Sequence, residues 1–108
     1  MIEVSDKGGL WSHLQKSKRI LALFYVSWCP FCIRFLPIFN KNSSKQDVDL
    51  VLRVKVDDYD NPLWDDYSIE NVPTVIFFDE GNVSRRLNGR FGYGIGEQQL
   101  KEWLEEDE

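Results

Sequence analysis

The 108-residue sequence is poor in the side chains that hold metal ions: it has one histidine and two cysteines. A closed metal site usually takes four such ligands. It also has no basic tract. Thirteen Lys and Arg stand against 18 Asp and Glu, for a formal charge of -5, so no cationic face is offered to nucleic acid. No apolar run nears the ~18 residues of a membrane helix. The longest, Ile20 to Trp28, is about half that length and includes Ser27. The opening Met1-Ile2-Glu3-Val4-Ser5-Asp6 has neither the basic nor the apolar region of a signal peptide, so the chain as written reads as cytoplasmic. No cofactor and no resident metal are expected, and a monomer is expected.

Aromatic residues, by contrast, are plentiful: seven Phe, four Trp and four Tyr. Some should fill a core and some should be exposed for binding. The length suits one domain, residues 1–108, with no room for a separate substrate domain. The acidic stretches Asp57 to Asp66 and Glu102 to Glu108 read as solvated faces or ends.

Apolar periodicity divides the chain into alternating elements. Ile2 to Val4 suits an edge strand. Ser5 or Asp6 caps a short helix with Leu10, Trp11 and Leu14 on its inner face, and His13 reads as a surface or packing residue. The run Ile20–Val26 predicts a strand covered on both faces. Pro30 opens a helix whose apolar pattern Phe31, Phe35, Ile38 and Phe39 continues to about Asn42, with a kink at Pro37. Val48–Val56 alternates as a strand, with Val48, Leu50, Leu52, Val54 and Val56 on one side. Asp60 or Asn61 caps a helix whose first residue is Pro62, carrying Leu63, Trp64 and Tyr67. Thr74–Phe78 and Val83–Leu87 read as an antiparallel hairpin around Asp79-Glu80-Gly81-Asn82. Gly89 to Gly96 is a loop, and Leu100, Trp103 and Leu104 mark a last helix. This order implies an α/β fold, a central mixed sheet with helices on both faces.

The two cysteines, Cys29 and Cys32, are three residues apart. So small a loop cannot staple the domain, so chemistry or metal explains the pair better than architecture. Cys29 lies where a strand ends and a helix begins. Unpaired N–H groups and the positive end of the helix dipole stabilise a thiolate there, which makes Cys29 the attacking nucleophile. Cys32, one turn further on and less exposed, would resolve the mixed disulfide. A metal shared between two chains, or two inert core thiols, are the competing readings.

With these residues in place, the sequence resembles the thioredoxin family from about Ser5 to Leu104. Phe24-Tyr25-Val26-Ser27-Trp28-Cys29 is similar to the strand leading into that family's active site. Pro37 matches its helix-kinking proline, Val72-Pro73-Thr74 its cis-proline motif, and Gly81 and Gly89 its later glycines. The resemblance implies a thioredoxin fold and a cis Pro73 facing the disulfide. It further implies that Val72 offers its backbone to an extended substrate and that Trp28 gives an apolar contact. Pro30, Phe31 and Gly89, with Phe91 beside them, would complete the groove. A proline just before a strand is itself a natural place for a cis bond, although an ordinary trans proline would also end an upstream helix. Core packing of Trp28 and a mobile loop at the glycines are the competing readings.

Two features depart from the family. The strand position of its buried aspartate is Leu23, and the position of the neighbouring lysine is Arg53, whose charge is expected to reach water or Asp57. Between the cysteines stands Pro30-Phe31 in place of Gly-Pro, closer to the Pro-Tyr of glutaredoxins. The expected redox potential is therefore above the thioredoxin value of about -270 mV, toward the glutaredoxin range of about -200 to -230 mV. The function expected is reduction of protein disulfides, with a thioredoxin-reductase-like donor or a small thiol recharging the pair. The alternatives are a glutaredoxin-like or oxidising exchange protein, for which Arg34 and Arg90 are the candidate glutathione cations, and a non-catalytic binding protein on the same fold.

Overall fold

A computed structural model describes residues 2–106; Met1 and the end of the acidic tail, Asp107 and Glu108, lie outside the described residues. Five strands and four helices alternate along the chain: β1 (Ile2–Val4), α1 (Lys7–Lys16), β2 (Arg19–Tyr25), α2 (Pro30–Ser43), β3 (Leu50–Lys55), α3 (Leu63–Asp66), β4 (Thr74–Asp79), β5 (Asn82–Asn88) and α4 (Glu97–Glu105). The sheet order is β1-β3-β2-β4-β5. β1, β3 and β2 run parallel, and β4 and β5 are antiparallel to their neighbours.

β2 is the centre of the sheet and is buried on both faces. Ile20, Ala22 and Phe24 meet Leu10 and Leu14 of α1 and Leu63 of α3, together with Leu52, Val54 and Ile76. Leu21, Leu23 and Tyr25 point the other way, toward Phe35 and Phe39 of α2 and Leu100 and Trp103 of α4. The period-two alternation of side chains thus builds two cores from one apolar run. Phe35 and Phe39 are 1% and 0% exposed, and burying a Phe contributes about 1.5–3 kcal/mol. No helix among the described residues is long and apolar enough to cross a membrane.

Local signals explain most boundaries. The Asp6 carboxylate accepts the Gly9 N–H at 2.6 Å and caps α1. α2 starts with Pro30 at its first turn and continues through Pro37 to Ser43. Three expectations need correction. Trp11 is exposed, not on the inner face of α1, because a step of one residue turns about 100° away from Leu10. Val48 precedes β3 and packs with the α2 face, out of line with Leu50, Leu52, Val54 and Val56. Pro62 precedes α3 instead of opening it, and α3 is a single turn, with the Asn61 side chain accepting the Leu63 N–H at 3.0 Å. Gly89 to Gly96 is a loop, as expected, and Arg90 and Gly94 form an antiparallel bridge within it.

Candidate redox site

The two cysteines sit at the end of β2. The N–H of Cys29 donates to the Val26 carbonyl at 3.2 Å, which turns the chain out of the strand. Cys29 is the N-cap of α2, and its carbonyl accepts the first helical bond from Ile33 at 2.9 Å. Pro30 has no N–H to leave unpaired, so Phe31 and Cys32 carry the free amides at the helix start. Cys29 is half-buried and Cys32 fully buried, both as free thiols. The Cys32 sulfur lies back under the strand end and accepts the Val26 N–H at 3.5 Å. Burial pushes the Cys32 thiol up to about 12; the Val26 N–H works against that shift, and the sulfur of Cys29 adds to it.

The facing wall comes from the segment before β4. The Val72–Pro73 peptide is cis. Pro73 is buried and Val72 half-buried, and the Thr74 hydroxyl donates to the Asn71 carbonyl at 2.6 Å. Cys29 and Val72 both border the two cores, which places them together at the sheet end. Gly89 closes the wall from β5. A Cβ there would lie 2.3 Å from the Pro73 carbonyl oxygen, so only glycine permits this approach.

Aromatic rings form the rim. Trp28 is 56% exposed, and its ring meets Tyr59 edge-on at 5.8 Å. Tyr59 in turn lies 5.3 Å from Trp64. The Trp64 indole N–H is fixed by the carbonyls of Val56 and Asp58, each at 3.2 Å. A groove of about 330 Å³ runs between the walls, lined by Cys29, Phe31, Tyr59, Trp64, Val72 and Phe91 among others. Asp57 ties the loop after β3 to the loop after β2, accepting the Ser27 N–H at 2.7 Å and its hydroxyl at 2.6 Å. Desolvation raises the Asp57 carboxyl, but these two bonds outweigh it and hold the group below the usual carboxylate range.

Beneath the cysteines, Leu23 is fully buried among apolar neighbours. Arg53, its cross-strand partner, does not turn to Asp57, which Ser27 occupies. Its guanidinium lies 3.8 Å from Glu3 on β1, and Lys55 approaches the same carboxylate at 4.0 Å. The Tyr25 hydroxyl also donates to Glu3. Burial and that bond push the Tyr25 phenol up to about 12. A carboxylate is therefore present near Arg53, two strands away from position 23, a placement that the register of β1 on β3 supplies.

The fold thus gathers Cys29, Cys32, Trp28, Pro30, Phe31, Val72, Pro73 and Gly89 at one end of the sheet. Sequence reasoning missed Tyr59, Trp64 and Glu3. The signal available for the first two was the parallel pairing of β2 with β3, which brings the loops after both strands to the same edge. Glu3 gave no local signal. Arg34 and Arg90 are engaged nearby: Arg34 donates to the Tyr93 carbonyl at 3.0 Å and stacks over Phe31 at 5.4 Å, and Arg90 stacks over Tyr93 at 5.2 Å.

Comparison with known proteins places this arrangement. The thioredoxin family model matches residues 3–106. Thioredoxin of Mycoplasmoides gallisepticum is 35% identical over 105 residues, covering 96% of this chain and 99% of that one. Protein disulfide-isomerase A5 of Bos taurus is 30% identical over 93 residues, covering 83% of this chain and 17% of that protein. Among solved structures, thioredoxin of Schistosoma mansoni superposes with a TM-score of 0.78 at 25% identity, over 95% of this chain and 91% of that one. Oxidised thioredoxin of Plasmodium falciparum gives 0.78 at 21% identity, over 97% and 95%, a likeness of fold. The chain, with Cys29 and Cys32 spaced as a Cys-x-x-Cys pair on a thioredoxin fold, belongs to the thioredoxin family of thiol–disulfide oxidoreductases.

Proposed function

We propose that this protein reduces protein disulfides through Cys29 and Cys32. The observation that carries the reading is the contrast between the two thiols: Cys29 reaches the groove from the N-cap of α2, whereas Cys32 is sealed beneath it. The Cys29 thiolate attacks a substrate disulfide, forms a mixed disulfide and releases the first thiol. Cys32 then attacks Cys29, loses its proton to the departing thiolate, and frees the second thiol. The protein leaves as a disulfide and the substrate as a dithiol. Val72 and cis Pro73 support an extended substrate chain beside Cys29, and Trp28, Pro30, Phe31 and Gly89 shape the groove around it. A thioredoxin-reductase-like protein or a small thiol returns the pair to the reduced state, in the cytoplasm, with the protein acting as a monomer.

Reduction of insulin by dithiothreitol, followed by turbidity, tests the reading. Acceleration by the protein that vanishes in Cys29→Ser supports it; equal rates with and without the protein would assign the fold to binding alone. Arg34, the cation closest to Phe31 in sequence, is already occupied by Tyr93. Slow removal of glutathione from a small mixed disulfide is accordingly expected, and fast removal would favour the glutaredoxin-like reading.

A further inference from the structure

The loop after β5 is braced against the start of α2. Arg34 holds the Tyr93 carbonyl at 3.0 Å while its guanidinium covers Phe31. The Arg90–Gly94 bridge closes the turn, and the Gly94 N–H donates to the Arg90 carbonyl at 2.9 Å. Gly94 has a φ of 72°, and a Cβ there would lie 3.1 Å from the Cβ of Phe31, so the turn sits directly on one of the two residues between the cysteines.

The braced turn also carries a ring that the cores do not use. Phe91 is 86% exposed, the most exposed large apolar side chain among the described residues. It nevertheless lines the same groove as Cys29, facing a space also bounded by Phe31, Tyr59 and Trp64. The charged residues of that groove, Glu70 and Arg90, are of opposite sign. Selection by net charge is weak in such a site, and selection by apolar contact is strong. The rings extend beyond Cys29 itself, so their occupant is the chain that flanks a disulfide.

We propose that Phe91 is a specificity-determining residue, an apolar wall that favours polypeptide disulfides carrying a bulky apolar side chain beside the cysteine. The proposal rests on the reading of Cys29 as the attacking thiolate.

The test uses the reduced full chain and two short peptides, each with one cysteine joined by a disulfide to 2-nitro-5-thiobenzoate. One has Phe beside the cysteine and the other Ser. Cys29 attacks the peptide sulfur, the nitrothiobenzoate thiolate leaves with the electron pair, and its absorbance reports the rate. Cys32 then displaces the peptide thiol and closes the protein disulfide. The expected preference for the Phe peptide is roughly 10-fold in the second-order rate constant of this single turnover. Phe91→Ala should reduce that ratio below about 2, and Phe91→Leu should restore most of it. A ratio unchanged in Phe91→Ala, or no preference in the wild type, overturns the proposal. A wild type that attacks neither peptide overturns the reading of Cys29 and this inference with it.

Discussion

The rim around Cys29 and the layer beneath Cys32 meet at one short Cys-x-x-Cys segment but obey different rules. On the rim, large apolar groups stay in water: Trp28, Tyr59 and Phe91 are each more than half exposed. In the layer beneath, Leu23, Phe35 and Phe39 are closed off entirely and the thiol of Cys32 is buried with them. The rim's rings do little for stability and remain available for contact with another chain. The layer stabilises the fold and suppresses the Cys32 thiolate. On the proposed mechanism the two halves of the exchange cycle would answer to different parts of the molecule, attack to a half-buried helix start and resolution to a dry interior.

The largest effect that would break this contrast is removal of the buried thiol. Cys32→Ser should lower turnover of protein disulfides on the order of 10³-fold, since residues acting as a unit fail together. Mass spectrometry should find the substrate trapped on Cys29, and release at the normal rate would end the division of roles. Next comes a pair of phenylalanines. Phe39→Ala should cost roughly 3–5 kcal/mol in a denaturant titration, by leaving a cavity. Phe91→Ala should stay within about 0.5 kcal/mol, as exposed substitutions do. Similar losses for both would erase the distinction between rim and layer.

Gly89→Ala sets the new methyl against the Pro73 carbonyl. Chemical denaturation should show a loss of about 1–3 kcal/mol, the usual range for overpacking. Amide shifts centred on Val72 to Thr74 would locate it.

Leu23→Asp probes the layer from the opposite direction. A carboxyl in that apolar site should have its pKa raised. Stability should then be least affected at acid pH and should fall as pH rises above the unfolded-state value of about 3.9. Resolution of the mixed disulfide should quicken, because the carboxylate can take the Cys32 proton. Stopped-flow release of the second product measures this, and an unchanged rate would show that burial, not the missing base, limits the step.

The smallest effect at neutral pH belongs to Cys32 in the wild type. Its folded-state value is raised to about 12. The reduced protein therefore keeps this contribution below the unfolded thiol value of about 8.5 and loses it as pH climbs toward 12. Urea midpoints of the reduced wild type and Cys32→Ala across that window should converge as pH rises; parallel curves would contradict the burial assigned to the thiol.

The sequence by itself determined the elements and the reactive pair. The run Ile20–Val26, the alternation at Leu50–Val56, Pro30 after Cys29 and the glycine-containing hairpin turn are local patterns whose physics acts within a few residues. Spacing alone also set Cys29 and Cys32 one helical turn apart. Tertiary structure decided which groups surround that pair. Strand register carried Glu3 to Arg53 and Tyr25 across two strands. Parallel pairing of β2 and β3 set Tyr59 against Trp28, and the braced turn put Phe91 on the groove that Cys29 lines. Such contacts join residues tens of positions apart. Their partners are fixed by how the strands align and the helices pack, and neighbouring residues in the chain do not encode them.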